Sequence, residues 1–473
     1  MEEKSDLMPK IVSLCKRRGF VFPTSEIYGG LVSSYNYGPL GTELLRNIRN
    51  LWWREFIQCR EDMLGLDSQI LLHPQTWVAS GHVGSFSDPM VEDKLTHKRY
   101  RADHLIEDFI KDKEEFKDII VEDLDIDQMG QFIREHKIKS PAGNEITEPK
   151  AFNLLFETAI GSVSGDKSKL YLRGETAQGI FTDFKQVLDS SRKRLPFGIG
   201  QIGKSFRNEI TTGQFVFRTL EFEQAEIEYF FDPDEQDWKV LFKRWQDDMW
   251  HFVHKTLGIR EENLRWRKHT DTERSHYSKD TYDLEYKFPF GWKELWGIAY
   301  RTDYDLKQHI HYSGQDLKYT DPINNKKFIP HVIEPAIGIN RAFFMAINDA
   351  YTEEEVEGET RVALKLDRKL APIKVAVLPL SRKDELTGPA KKLFNELKDS
   401  FVCEYDETQS IGKRYRRQDE IGTPYCVTVD FESLKDKAVT VRDRDSMKQE
   451  RILMSELKSY LNGKLAWNEK HPF

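Results

Sequence analysis

The chain has 473 residues, 39% of them hydrophobic and 12% aromatic, and a formal net charge of −8. That length predicts two or three domains, and the aromatics (29 Phe, 18 Tyr, 10 Trp) supply material for their cores. The negative charge excludes a general nucleic-acid coat but not a local basic face, because such footprints are set by patches.

In chain order, residues 6–20 (DLMPKIVSLCKRRGF) read as an amphipathic helix closed by Gly19. A Gly- and Tyr-rich loop, EIYGGLVSSYNYGPLG, follows, and its glycines permit close approach to a ligand or partner. From Thr42 to about Arg60, Leu44, Leu45, Ile48, Leu51, Trp52 and Phe56 recur at helical spacing. That stripe exceeds what a solvent-facing helix needs and points to deep core or to a subunit interface. Val83-x-x-Phe86-x-x-Pro89-Met90-Val91 is a second apolar stripe. Residues 104–150 are charged, helical in pattern and poor in aromatics, the composition of a peripheral inserted module. Strand-like runs and polar loops then alternate to about residue 348, interrupted by a helix from Trp238 to Leu257. The acidic tract 352–360 (TEEEVEGET) reads as a surface excursion, and Pro372 divides 1–371 from 372–473.

Beyond that boundary, strand, helix, strand, helix, two strands and a helix from Met454 predict a compact α/β domain. It holds 19 Lys and Arg against 17 Asp and Glu, so it carries +2 and the remainder of the chain −10. Four cysteines (Cys15, Cys59, Cys403, Cys426) are far apart and form no C-x-x-C pair, so neither disulfides nor a zinc site are expected. The start, MEEKSDLMPK, has no apolar targeting core, and no apolar run reaches membrane-spanning length. A cytoplasmic protein is expected.

The chemistry-bearing stretch is Ser205-Phe206-Arg207-Asn208-Glu209, followed by the strand-like run Arg218 to Tyr229 (RTLEFEQAEIEY). In an extended segment Arg207 and Glu209 share a face, and a turn at Thr211–Gly213 doubles the chain back with further acids. One cation fixed beside several acceptors suits a site that holds a phosphate and reads amines nearby. An exposed hairpin of alternating charge looks the same in isolation, so its neighbours decide. One neighbour is Glu334-Pro-Ala-Ile-Gly338-Ile-Asn-Arg341, a strand entering a helix with glycine at the junction and arginine in the first turn.

In this order, the Val83–Val91 stripe, the Phe206–Glu209 hairpin and the Glu334–Arg341 run resemble the three signature motifs of class II aminoacyl-tRNA synthetases. The segments SEIYGG, NYGPLG, RYRADHLIED, YLRGETAQGIF, FRNEI, EFEQAEIEYF, GWKELWGIAYRTDYDL, HVIEP and SIGKRYRRQDEIGTPYCVTVD are similar to those of the glycyl-tRNA synthetase family in its homodimeric form. The resemblance runs over nearly the whole chain. It implies an α/β protein with an α+β catalytic core: an antiparallel sheet flanked by helices, the inserted helical module, and a C-terminal anticodon-binding domain. It implies that ATP, glycine and tRNA(Gly) give glycyl-tRNA, AMP and pyrophosphate through a glycyl-adenylate, with Mg²⁺ accompanying ATP. It also implies a homodimer whose interface uses the Thr42–Arg60 helix and the Val83–Val91 stripe. The alternatives are a non-catalytic synthetase-like RNA-binding or accessory protein, and a class II enzyme for another small amino acid. The former loses phosphate-clamping arginines, whereas Arg207 and Arg341 are both present.

Residue by residue, Arg207 matches the arginine that bridges the amino-acid carboxylate and the α-phosphate, and Arg341 the one that clamps the γ-phosphate of a bent ATP. Asn208, Phe217, Arg218, Leu295 and Gly338 fall with them in the implied ATP site. Glu209 would accept from the adenine amino group, Phe222 offers a ring for stacking, and Glu294 is the candidate to hold Mg²⁺. Glycine has no side chain to grip, so its ammonium must carry the binding. Glu175, Glu226 and Glu334 match the family's acidic pocket, with Phe222, Glu223 and Gln224 on the same hairpin. Arg101 matches another substrate-contacting position, and Arg301 is placed to balance the charge. Several acids around one cavity repel each other until a cation enters. Two residues depart from the family: Ala336 where a serine contacts glycine, and Gly174 where a proline is common, a change expected to alter only loop stiffness. Lys413-Arg414-Tyr415-Arg416-Arg417 opens a helix in the C-terminal domain. It reads either as a solvated face compensated by Asp419 and Glu420 or as a phosphate-contacting face. Its match to the anticodon-binding domain favours tRNA, with Lys413, Arg414, Arg416 and Arg417 as candidates.

Overall fold

The computed structural model describes residues 7–111, 113–116, 119–121, 124–161, 168–209, 214–270 and 278–466; the turn expected at Thr211–Gly213 lies outside them. Seven strands build the central sheet: β1 (Met63–Gly65), β2 (Phe197–Phe206), β3 (Glu221–Phe231), β4 (Leu264–Lys268), β5 (Asp280–Phe288), β6 (Gly291–Thr302) and β7 (His331–Gly338). Their order is β4-β5-β6-β7-β3-β2-β1, antiparallel throughout except for the parallel β1–β2 edge. Two-residue alternation sorts each strand between two faces. In β3, Ala225, Ile227, Tyr229 and Phe231 enter the main core. The intervening Phe222, Gln224, Glu226 and Glu228 therefore project from the other face, where Phe230 joins a second core.

Helices Pro39–Trp53, Trp238–His251 and Ile339–Ala350 cover the main-core face, and the chain's first helix, Leu7–Arg18, adds Ile11, Leu14 and Cys15 to the same core. Helix Pro39–Trp53 starts three residues before the expected Thr42, because proline fits a first helical turn, and it runs on through a wider turn to Gln58. Trp52 and Phe56 are fully buried, Trp52 against Phe56 and Phe56 against Trp245, Phe252 and Trp296, each worth about 2–3 kcal/mol of burial. That apolar stripe is thus packed inside the chain. The Val83–Val91 stripe is only partly internal, with Val83, Phe86 and Pro89 half-buried. It forms a helical turn, His82–Ser85, and then a strand, Ser87–Glu92, whose Met90 and Val91 are buried.

The second face carries helices Ala177–Ser191 and Tyr304–Ser313, with Ile180, Phe181, Phe184 and Leu306 packed on Phe197 and Phe230. The peripheral module is not purely helical. Strands Ser87–Glu92, Arg99–Arg101 and Lys150–Asn153 pair beside helices Ala102–Ile110 and Ile126–Glu135, around Val91, Leu105, Ile106, Met129, Phe132 and Ile133. The tract at 352–360 lies in a hairpin, Tyr351–Val356 with Glu359–Leu364, that continues directly from helix Ile339–Ala350.

The C-terminal unit has a five-stranded sheet: β8 (Val375–Pro379), β9 (Cys403–Tyr405), β10 (Tyr425–Val429), β11 (Ala438–Asp443) and β12 (Gln449–Leu453). Its order is β9-β8-β10-β11-β12, parallel around β8 and antiparallel beyond β10. Helices Asp384–Leu397, Ile411–Ile421 and Met454–Leu465 accompany it. The segment joining it to the rest is packed: Leu364, Leu366, Leu370 and Ala371 are all buried, and Ile421 sits in the main core. Among the described residues no helix is long and apolar enough to cross a membrane.

Candidate active site

A cavity of about 260 Å³ opens over the second face of β3, β6 and β7. Registers set its polarity. Glu226 lies opposite Ala336 and Gln224 opposite Gly338, so the cavity runs from the acids of β3 and β7 at one end to the N-terminus of helix Ile339–Ala350 at the other.

Arginines gather at the helix end. Arg341, in the first helical turn, places its guanidinium over Phe217 (4.5 Å to the ring centre) and reaches the Glu294 carboxylate at 2.8 Å. The free N–H groups of a helix start reinforce a cation there as an anion site. Arg218 lines the same region, 3.8 Å from Glu209, and its buried Nε finds no hydrogen-bond partner among the described residues. Arg207 lies over Phe86 and Phe222, 5.2 and 5.3 Å from their ring centres, and its Nε donates to the Gly174 carbonyl at 3.2 Å. Position 174 therefore contributes an anchor for Arg207 as well as loop stiffness. Arg207 and Glu209 lie beyond the end of β2, so a shared strand face does not bring them together; the chain turns tightly, with Glu209 N–H donating to the Arg207 carbonyl.

At the other end Glu175, Glu226 and Glu334 line the cavity and are all buried. Burial alone would raise Glu175, but His82 at 3.4 Å and Arg301 hold it well below the ordinary carboxylate range. Burial pushes Glu334 far up; Arg301 opposes this, and Glu226 and Glu175 add to it. Glu226 is also raised, by burial and then by Glu175, although the Thr176 hydroxyl donates to it. Three acids thus share one buried end of the cavity with Arg301 and His82 as the neighbouring bases, an arrangement that favours a cation. Gln224 adds a buried carbonyl oxygen with no partner among the described residues. Ala336 lines the cavity with a methyl group and supplies no hydroxyl.

Five expected site residues stand elsewhere. Glu223 points to the opposite face of β3, one residue out of phase with Gln224, where Arg49 Nε donates to it at 2.8 Å. Leu295 is the extra residue of a bulge in β6 opposite Leu284 and Glu285, and its side chain joins the main core. Asn208 is absent from the lining and donates its backbone N–H to Leu154. Arg101 is held in the peripheral module by Asp88, at 3.0 Å, and by Asp103. Arg301 lies beneath the acids, fully buried, with Nη1 donating to Glu334 at 2.9 Å and a two-pronged bond to Asp305. It balances charge without lining the cavity.

The sequence reading missed His269, Asp283 and Thr219, which also line the cavity; His269 Nε2 lies 2.8 Å from Asp283. For Asp283 the available signal was charged residues alternating with buried apolar ones in β5; His269 and Thr219 lie outside strands and carried none. Asp283 and Glu294, on adjacent strands, present hard carboxylate oxygens to one region, and Asp283 is raised by burial and then by Glu294 against the pull of His269. Such a donor set fits Mg²⁺.

The basic run of the C-terminal unit is mostly internal. Arg414 is 1% exposed, and its Nη1 donates to the carbonyls of Pro379 (2.6 Å) and Asp406 (3.1 Å). Arg417 is tied to Asp406 and Thr408. Tyr415 lies under Arg442 and bonds Thr428. Lys413 is exposed and Arg416 half-buried, which leaves these two facing outward.

Comparisons with known proteins agree with this geometry. The tRNA synthetase class II core domain family (G, H, P, S and T) matches residues 159–351, and the anticodon binding domain family matches 374–464. A solved prolyl-tRNA synthetase from Cryptosporidium parvum, 14% identical with a TM-score of 0.61 over 96% of this chain and 74% of its own, shares the fold. The glycine–tRNA ligase of Caldanaerobacter subterraneus is 54% identical over 97% of this chain and 98% of its own. That of Acetivibrio thermocellus is 53% identical over 98% and 99%. With a class II core, an anticodon-binding domain and such identity end to end, the chain belongs to the glycine–tRNA ligase family.

Proposed function

We propose that the cavity over β3, β6 and β7 is where this ligase activates glycine, with the two substrates entering from opposite ends. The observation that carries the reading is the separation of charge along one sheet face: Arg207, Arg218 and Arg341 toward the helix start, Glu175, Glu226 and Glu334 away from it. ATP lies with its phosphates among the arginines. Glycine lies with its ammonium among the glutamates and its carboxylate toward Arg207. A carboxylate oxygen attacks the α-phosphorus, the bond to the bridging oxygen breaks, and pyrophosphate leaves. Arg207 neutralises charge that grows at phosphorus, and Arg341 holds the leaving phosphates after parting from Glu294. Phe217 and Phe222 give the Arg341 and Arg207 guanidiniums fixed platforms. A hydroxyl of the terminal tRNA ribose then attacks the glycyl carbonyl and AMP departs.

Mg²⁺ bound with ATP would be held by Glu294 and Asp283, where it would screen the phosphate charge. The division at 371/372 assigns activation to the first part and tRNA grip to the second, where Lys413 and Arg416 are the outward cations. Four unpaired thiols fit a reducing cytoplasm. A homodimer is supported by the loop carrying Ile27 (86% exposed), Tyr28 (85%), Leu31 and Val32, an apolar surface of the kind a monomer rarely leaves bare. ATP–pyrophosphate exchange measured across the amino acids tests the whole reading. Glycine alone should support it strongly, and equal exchange with alanine or serine would refute the pocket assignment.

A further inference from the structure

Between the catalytic sheet and the C-terminal unit lies a buried ionic cluster that glycine activation does not use. Its centre is Asp419, fully buried on helix Ile411–Ile421. Arg442 of β11 grips both of its oxygens, at 2.8 and 3.0 Å, so this pair belongs to the C-terminal unit alone. Arg361 reaches it from the other unit: its Nε donates to Asp419 at 2.8 Å, its Nη1 to Glu354 at 2.7 Å and its Nη2 to the Arg444 carbonyl at 2.5 Å. Arg444 returns the contact, donating to the carbonyls of Gly422 and of Leu366, both at 2.7 Å. Arg361 and Asp419 are each 0% exposed, yet both are paired and hydrogen-bonded.

An apolar contact would join two units with less desolvation cost, but it would slide. Charged groups that are buried and paired in one geometry cannot, because a shifted register strands a bare buried charge. Arg361 also sits in the hairpin that grows from helix Ile339–Ala350, whose first turn carries Arg341. Asp419 lies on the helix that presents Lys413 and Arg416. The cluster therefore joins the element that ends at the phosphate site to the element that carries the outward basic side chains.

We propose that Arg361 and Asp419 are positioning residues for the tRNA step: their pairing fixes where the anticodon-binding unit stands, so that a tRNA held there presents its 3′ end to the cavity. The proposal rests on the two-unit reading above, and the two fail differently. Loss of that reading would show as unchanged tRNA binding when Lys413 and Arg416 are neutralised; loss of this one concerns Arg361 alone.

The test is Arg361→Met in the full-length enzyme. Asp419 keeps Arg442, and Glu354 keeps Lys365, so no carboxylate is orphaned. Glycine-dependent pyrophosphate exchange should stay within about twofold, while kcat/KM for tRNA charging falls about 10- to 100-fold, the scale of a small misplacement of reacting groups. Trypsin should cut faster after Lys365, Arg368 and Lys369, in the joining segment. Arg361→Lys, which keeps the charge but not the fork, should recover part of the charging. Charging by Arg361→Met at the wild-type kcat/KM overturns the proposal, whatever trypsin does. A parallel loss of exchange and charging in both variants overturns it too, since Arg361 would then support the catalytic fold.

Discussion

Replacing Arg207 by alanine removes the one guanidinium whose described contacts leave it facing the point where glycine and the α-phosphate are proposed to meet. Among the described residues it makes one hydrogen bond, to the Gly174 carbonyl at 3.2 Å, and lies 5.2 and 5.3 Å from the ring centres of Phe86 and Phe222. Two ring contacts and one neutral bond put the folding cost at about 2–3 kcal/mol, small enough for the protein to remain folded. The kinetic cost is larger than that of an ordinary surface arginine. A preorganised donor to developing charge is worth at least about 10²-fold, or ~2.7 kcal/mol of barrier, in a water-poor site. Glycine-dependent ATP–pyrophosphate exchange should therefore fall by that factor in Arg207→Ala, with a melting curve that remains cooperative. Arg207→Lys should restore little, since an ammonium neither lies flat on a ring nor spans two oxygens. Exchange within threefold of wild type in a folded Arg207→Ala enzyme would show that the adenylate forms elsewhere.

The KM for glycine should fall as pH rises through and beyond the ordinary carboxylate range, because burial and then mutual repulsion raise Glu334 and Glu226 and the ammonium needs them ionised. Glu175, already held low by His82, adds nothing in that window; Glu226→Gln should flatten the profile, and a flat wild-type profile would remove the argument. Alanine at Lys413 and Arg416 together should weaken tRNA binding and reduce its dependence on salt, read by filter binding across a salt series. Arg414→Ala should instead lower the melting temperature, since it empties a buried site and leaves carbonyls without donors, about 2–4 kcal/mol; a selective tRNA defect with normal stability would reverse this assignment. Ile27→Asp with Tyr28→Ser should yield monomers by light scattering if the exposed loop is the subunit contact, and a persistent dimer would place that contact elsewhere.

Much of this site was legible because strand alternation and motif order need no tertiary knowledge. Glu226, Glu334, Ala336 and Gly338 follow from period two once β3 and β7 are recognised, and Arg341 follows from a glycine that opens a helix. The same rule shows where the reading slipped. Glu223 is one residue from Gln224, and one residue in a strand is a change of face. Leu295 beside Glu294 behaves differently again, because a bulge, invisible in composition, resets the alternation within β6.

The harder errors concern what a side chain is used for. Trp52 and Phe56 signalled an apolar surface, and apolar surface has two outlets, a core or a partner; only the arrival of Trp245, Phe252 and Trp296 from distant segments selects the first. The run from Lys413 to Arg417 poses the same choice for charge. A helix turns its residues through every direction within one turn, so adjacent cations cannot all face one ligand. Arg414 points inward to carbonyls, Arg417 is held by Asp406, and Lys413 and Arg416 turn outward. The acids that a sequence reading takes as compensation divide in the same way. Glu420 reaches Arg17 of the first helix at 3.2 Å, while Asp419 is gripped by Arg442 and Arg361 in the interior. A run that reads as one basic patch is therefore partly an outward surface, the one proposed to meet RNA, and partly internal bracing of the C-terminal unit, while Asp419 on the same helix reaches across to Arg361; the helical period separates these roles.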